Sequence, residues 1–423
     1  MKAPISWLKD FVEIDLPVAH LAHLLTMAGM EVEEIRIIGL PLPEPGSTTA
    51  RVTGLSWDRE KIVAAEVTEV MPHPNADRLV LCRLNDGLQN HIVLTGAPNL
   101  FEYKGKGKLL QPLKVAYARE GAQLYDGHQE GNVLTTLKRT KIRGVESYSM
   151  ICSEKELGIS DEHEGILFLD QAAIPGTPLV EILGDAVLDV NLLPSFARCA
   201  SMLGLAREIA AITGQSLRSP QFPPIPTAGE ANFAELEITN PDLNPRFVLG
   251  LIREVRIESS PVDIQQRLKL AGMRPINNIV DATNYAMLEL GEPLHAFDYD
   301  VLERRAGGNK VHIFTRSARK GEKITTLDGI ERTLDEGTIL VCDSAGILSL
   351  AGVMGGLESE VTEATRNILL EGASWNMIHI RRTAKAQNLP SEASYRFTRG
   401  VHPAMAETGV QRGLDLMSHW AGG

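Results

Sequence analysis

Trp7, Leu8, Phe11 and Val12 recur at the spacing of one helical face, and Leu21, Leu24, Leu25 and Ala28 repeat it after Pro17 before Gly29 stops the pattern. From Glu31 to Ile38 the apolar period shortens toward two, which predicts a strand. Periodicity is lost from Leu40 to Gly54, where Pro41, Pro43, Pro45, Gly46 and a Ser-Thr-Thr run predict a connector between folded units. Beyond it, Lys61 to Val70, Leu79 to Asn85, His91 to Thr95, Lys114 to Ala118 and Val133 to Thr140 are short β-rich runs separated by turn residues, the spacing of a small closed barrel.

Helical spacing returns after Gly165-Ile166-Leu167-Phe168-Leu169, most clearly from Ala200 to Thr213, and Gly214 ends it. Within that helix Arg207 and Glu208 read as an exposed ion pair. Ser219 to Pro226, with Pro220, Pro223, Pro224 and Pro226, predicts a second connector. The remainder mixes strands (Phe247 to Ile252, Lys310 to Thr315) with helices (Asp263 to Ala271), an α+β pattern without internal repeat.

Length changes the picture first: 423 residues exceed one ordinary hydrophobic core, so two to four domains are expected. A composition of 43% hydrophobic and 23% charged residues is that of a globular chain. No apolar run of about 18 residues occurs and the start lacks a signal-peptide pattern, so the expectation is a cytoplasmic protein without a membrane partner. Cys82, Cys152, Cys199 and Cys342 stand far apart with no C-x-x-C, which suits inert thiols better than zinc or disulfides. A net charge of −12 excludes a general basic coat, so any RNA site is regional. Residues 61–150 carry twelve Lys and Arg against nine Asp and Glu, making that segment the candidate.

Three ordered segments sharpen it. Met71-Pro72-His73-Pro74-Asn75-Ala76-Asp77-Arg78-Leu79 reads by itself as a tight loop between strands. Thr95-Gly96-Ala97-Pro98-Asn99 and Lys141-Ile142-Arg143-Gly144-Val145-Glu146-Ser147-Tyr148-Ser149-Met150-Ile151-Cys152-Ser153 follow it in the same region. The acidic turn Asp161-Glu162-His163-Glu164 has donor atoms for a metal but is common solvated surface, so no metal site is expected. Further on, Arg274 to Tyr285 leads into Glu289 to Asp298. There Asp281 or Thr283 reads as the cap of a short helix ending at Gly291, and Pro293 places His295 on a loop. The run Ala351-Gly352-Val353-Met354-Gly355-Gly356 fails the phosphate-loop pattern and reads as a close-packed wall. Glu371 ends the apolar strand Asn367 to Leu370, which directs its carboxylate inward; the ordinary alternative is a structural salt bridge.

Together these segments resemble the phenylalanyl-tRNA synthetase β-subunit family of bacteria, along essentially all of the chain. The resemblance implies a multidomain α+β protein with an OB-fold barrel (42–152) inserted in a small α/β domain (1–41 with 153–195), followed by a B3/B4 editing domain (196–423). It implies tRNA binding by Asn75, Lys104, Lys106, Lys108, Lys138, Arg139, Lys141 and Arg143, each of which is otherwise a solubilising surface group. It also implies an editing pocket with His295, Thr283, Asn284 and Arg274 as hydrolytic residues, where a lone histidine would otherwise be packing. Glu371, Gly352, Gly355, Ser391 and Ala393 would hold the substrate, with Glu371 linked to the hydroxyl of a wrongly attached tyrosine.

The implied partners are tRNA(Phe), not DNA, and a synthetase α subunit that carries the aminoacylation site in an α2β2 heterotetramer. ATP and magnesium serve the whole synthetase, and this segment binds no cofactor. Family proteins continue into further domains that this sequence, ending at Gly423, does not show. Pro194-Ser195-Phe196-Ala197-Arg198-Cys199 departs from the family's usual Pro-Asn-Arg-Ala-Asp-Cys at Ser195, Phe196 and Arg198. A rival expectation from another class is a noncatalytic tRNA-binding or assembly module.

Overall fold

The computed structural model describes residues 1–223 and 232–423, so the proline-rich connector 219–226 lies partly outside the described residues. They divide into two compact units. The first comprises Met1–Ser6, Asp15–Asn191 and Lys269–Gly272; the second comprises Trp7–Ile14, Leu192–Leu268 and Met273–Gly423. Both mix helices with several sheets. No helix among the described residues is long and apolar enough to cross a membrane.

In the first unit a four-stranded sheet runs in the order Lys2–Pro4, Asp185–Asn191, Glu31–Gly39, Arg51–Ser56. The last strand lies where composition predicts a connector. It pairs in parallel with Glu31–Gly39 through Val52↔Ile35 and Leu55↔Ile38, because its β-branched and apolar residues complete that sheet's edge. Gly54 is required there, since a Cβ would stand 1.9 Å from the Ile37 carbonyl oxygen.

A second, five-stranded antiparallel sheet orders Met150–Ile151, Lys108–Ala118, Ile62–His73, Ala76–Asn85 and Asn90–Thr95. Its period-two pattern sorts the side chains. Val63, Ala65 and Val67 join one core with Val80, Cys82, Leu84 and Tyr117, while Ile62 and Ala64 join another with Trp57, Leu124 and Leu157. The single strand expected over 133–140 is instead two short pieces, Leu134–Thr136 and Thr140–Ile142. The second piece turns back through Arg143 (φ 50°) and Gly144 (φ 92°), the left-handed pair of a tight hairpin.

The second unit contains the helix Met202–Thr213, capped by Ser201, whose side chain accepts the Gly204 N–H, and ended by Gly214 at φ 73°. Glu208 pairs with Arg198 at 2.8 Å and not with the adjacent Arg207, because neighbours in a helix point about 100° apart. The helix Asn278–Leu290 is buried almost all round. Its cap is Asn277, whose side chain accepts from Ile279 and Val280 N–H. Asp281 and Thr283 are therefore not caps: Asp281 accepts from Ser260 Oγ (2.5 Å) and Ile276 N–H (2.8 Å), and Thr283 Oγ1 donates back to the Val280 carbonyl (2.7 Å).

Candidate active site

Three antiparallel strands build the floor of the site, in the order Arg246–Ile252, Ile368–Ser374, Leu294–Asp298. Alternation divides the sheet. Gly250, Leu370, Gly372 and Leu294 lie under the helix Met405–Ala421, whose Gly409 and Gly413 admit the Leu294 side chain. Phe247, Leu369, Ala373 and Phe297 face the opposite core. Glu371, between Leu369 and Ala373, shares that second face and stands directly opposite His295 in the strand register. His295 is thus a strand residue and not a loop residue: Pro293 ends the turn, and Leu294 immediately enters the sheet.

A cavity of about 70 Å³ opens above this pair. Its walls include His295, Glu371, Gly352, Gly355 and Ala393, together with Trp375 and Phe397. The glycine run is a hairpin turn joining strands Gly346–Leu350 and Met354–Gly355, with Gly352 at φ 65°. A Cβ on Gly352 would lie 2.8 Å from Trp375, and one on Gly355 would lie 2.3 Å from His295 Cε1, so both glycines let backbone press against the pocket's rings. Ser391 stands behind the wall: it caps the helix Glu392–Phe397 and donates to the Val353 carbonyl at 2.9 Å, pinning the turn.

Arg274, Thr283 and Asn284 do not line the cavity. Arg274 is exposed, Asn284 is half-buried, and the Thr283 hydroxyl is used within its own helix. Trp375 and Phe397 are lining residues that the motif reading missed, although Trp375 continues the two-residue period through Glu371 and Ala373.

The electrostatics follow from dryness. His295 packs edge-on to Phe297 at 4.5 Å, and its Nε2 is enclosed without a hydrogen-bond partner. Burial pulls the imidazole down to about 4. Glu371 is 6% exposed, its Oε2 has no partner, and burial pushes its carboxyl up to about 8. On the helix-covered side Glu292 is fully buried, and neither oxygen has a hydrogen bond of good geometry among the described residues, although the Ala373 N–H lies near. Burial raises Glu292 well above the carboxylate range, the Ala373 N–H offsets this only in part, and Glu371 raises it further. The sequence carried no sign of this second acid beyond its place beside Pro293. At neutral pH the cavity therefore offers a neutral imidazole, able to accept a proton, and a neutral carboxyl with a spare oxygen, set among apolar rings.

The RNA-binding candidates fall in two places on the first unit. Asn75 sits exposed at the turn between Ile62–His73 and Ala76–Asn85, and Lys104 Nζ donates to the Asp77 carbonyl beside it at 2.8 Å. Lys106 and Lys108 follow. Lys138, Arg139, Lys141 and Arg143 cluster on the 140–147 hairpin and the approach to it. Arg139 is engaged by Glu120 and Glu146 and lies 4.8 Å over the Tyr148 ring. Lys106, Lys108, Lys138, Lys141 and Arg143 are exposed and form no ion pair among the described residues.

Two domain families match the sequence: the B3/4 domain over residues 243–422 and the putative tRNA binding domain over residues 62–178. The phenylalanine–tRNA ligase beta subunit of Moorella thermoacetica is 44% identical across 100% of this chain and 49% of its own length. That of Dehalococcoides mccartyi is 41% identical across 100% of this chain and 48% of its own. The chain thus spans about half the length of the curated relatives it matches. An N-terminal fragment of the phenylalanyl-tRNA synthetase beta-subunit from Pyrococcus horikoshii aligns at 17% identity over 48% of this chain and 60% of that one, with a TM-score of 0.26. With both domain families in order, the chain is similar along its whole length to about half the length of the phenylalanine–tRNA ligase beta subunits.

Proposed function

We propose that this chain binds tRNA(Phe) through the segment around residues 62–178 and hydrolyses the ester of tyrosyl-tRNA(Phe) in the cavity at His295 and Glu371. The observation that carries the reading is the unpartnered Glu371 oxygen in a dry pocket walled by Gly352, Gly355, Trp375 and Phe397. A tyrosine ring fits apolar walls, and its hydroxyl supplies the hydrogen bond that Glu371 lacks. Phenylalanine leaves that polar atom unsatisfied, a penalty far larger than a missing methylene brings.

His295, neutral at working pH, is the group placed to orient the attacking water by accepting its hydrogen bond. Arg274, Thr283 and Asn284 would then support from outside the cavity. The five-stranded sheet serves as an OB barrel within 42–152, inserted between 1–41 and 153–195, and 196–423 forms the editing domain. Its RNA contacts are Asn75 and the basic residues named above.

In the cell the chain works in the cytoplasm beside a synthetase α subunit, in an α2β2 assembly. That subunit carries out aminoacylation with ATP and magnesium. The test is release of tyrosine from preformed tyrosyl-tRNA(Phe). Hydrolysis faster than the spontaneous rate, and much slower with phenylalanyl-tRNA(Phe), supports it. Tight tRNA binding without release would favour the noncatalytic binding module instead.

A further inference from the structure

A second depression in the same unit has a different character. It holds about 490 Å³, within the range of about 300–1,000 Å³ typical of ligand sites. Its charged and titratable lining residues are Arg198, Arg207, Arg396 and His402, and no carboxylate is among those lining it, although the protein carries a net charge of −12.

Each of the four is placed differently. Arg396 is 2% exposed, held by its Nε on the Ala200 carbonyl (3.0 Å) and its Nη1 on Glu392 Oε2 (2.7 Å), so its position is fixed. Arg198 lies 5.2 Å over the Phe196 ring and is paired with Glu208, which leaves part of its guanidinium free. Arg207 is exposed, and its side chain forms no ion pair or hydrogen bond among the described residues. His402 Nδ1 accepts the Ala404 N–H at 3.2 Å, which places a proton on the exposed Nε2.

The groove and the cavity share two walls. The helix Glu392–Phe397 presents Ala393 and Phe397 to the cavity and Arg396 to the groove. Leu290 and Gly291 edge the groove, and Pro293 to His295 edge the cavity. The groove and the cavity thus flank the same helix and the same turn.

We propose that the Arg198–Arg207–Arg396–His402 groove receives the phosphodiester backbone at the 3′ end of the tRNA, holding the nucleotides that precede the esterified adenosine. This rests on the proposed hydrolysis. The exposed Arg207 and the unclaimed part of the Arg198 guanidinium suit phosphate oxygens, and such contacts position an RNA strand without reading its sequence.

The test compares 3′-tyrosyl-CCA trinucleotide with 3′-tyrosyl-adenosine, which has no phosphate. In the Arg198→Ala/Arg207→Ala protein, kcat/KM for the trinucleotide should fall about tenfold relative to the adenosine ester, mostly through KM, and Arg207→Lys should retain much of the difference. An unchanged ratio, or equal losses on both esters, overturns the proposal. Binding of the two non-hydrolysable 3′-amide analogues, measured by calorimetry, gives a readout that needs no turnover. If the wild-type protein cleaves neither ester, the hydrolytic reading fails, while the groove stands or falls on whether the double variant selectively loses the trinucleotide amide.

Discussion

His295 and Glu371 stand directly opposite each other on adjacent antiparallel strands, and burial leaves both uncharged at neutral pH. Between about 4 and about 8 the imidazole is deprotonated and the carboxyl protonated, so the pair forms no salt bridge and both polar tips stay available to a substrate. Glu371→Ala removes the one oxygen suited to a tyrosine hydroxyl. The preference for tyrosyl over phenylalanyl ester should fall ten- to a hundredfold, about 1–3 kcal/mol. Single-turnover hydrolysis of both esters measures it, and full retention of the preference would return Glu371 to a structural role.

His295→Ala should slow both esters by a common factor, about a hundredfold for loss of a positioned base. A variant that slows only the tyrosyl ester would mean that His295 reads the side chain instead.

Stability should carry the signature of the buried acid. The folded pKa of Glu371 lies above its ordinary 4.5, so the folded protein holds the proton more tightly, and stability falls as pH rises from about 4.5 to about 8. His295 acts in the other direction over a lower window, adding stability as pH rises from about 4 to about 6.5. Glu371→Gln should therefore gain up to about 5 kcal/mol over the wild type at pH 9 and little at pH 4. Denaturant titrations at the two pH values decide it; equal gains at both would show that the carboxyl is not held neutral.

Gly355→Ala inserts a methyl 2.3 Å from His295 Cε1. The ring must leave its place, so hydrolysis of both esters should drop at least tenfold, with a stability loss of about 1–3 kcal/mol. Normal turnover in a folded Gly355→Ala protein would show that the position of His295 is immaterial.

For the RNA surface, Lys138→Ala/Lys141→Ala/Arg143→Ala should reduce the slope of log affinity against log salt by about two, since each lost phosphate contact removes somewhat less than one. Filter binding of tRNA between about 50 and 200 mM salt reads this. An unchanged slope would move the binding surface elsewhere, with the loop at Asn75, Lys104, Lys106 and Lys108 as the next test.

Local pattern was enough for much of the architecture. The helix ending at Gly214, the strand from Glu31 and the alternating runs that make the five-stranded sheet all follow from periods of 3.6 or two and from residues that stop them. The inward direction of Glu371 was legible for the same reason, because one residue's place in an apolar strand fixes its face. The strand Arg51–Ser56 was not, since a short edge strand is decided by the partner that offers hydrogen bonds and not by its own composition. Nor was the choice of Asn277 over Asp281 as the helix cap, which depended on Ser260 and the Ile276 N–H claiming the aspartate. His295 reached the cavity because strand 368–374 accepted 294–298 as a neighbour 70-odd residues away in sequence. Sequence fixes which side chains can be polar, buried or turned. Only the packed structure decides which of them lose water together, and that shared loss of water sets the charges of His295, Glu371 and Glu292.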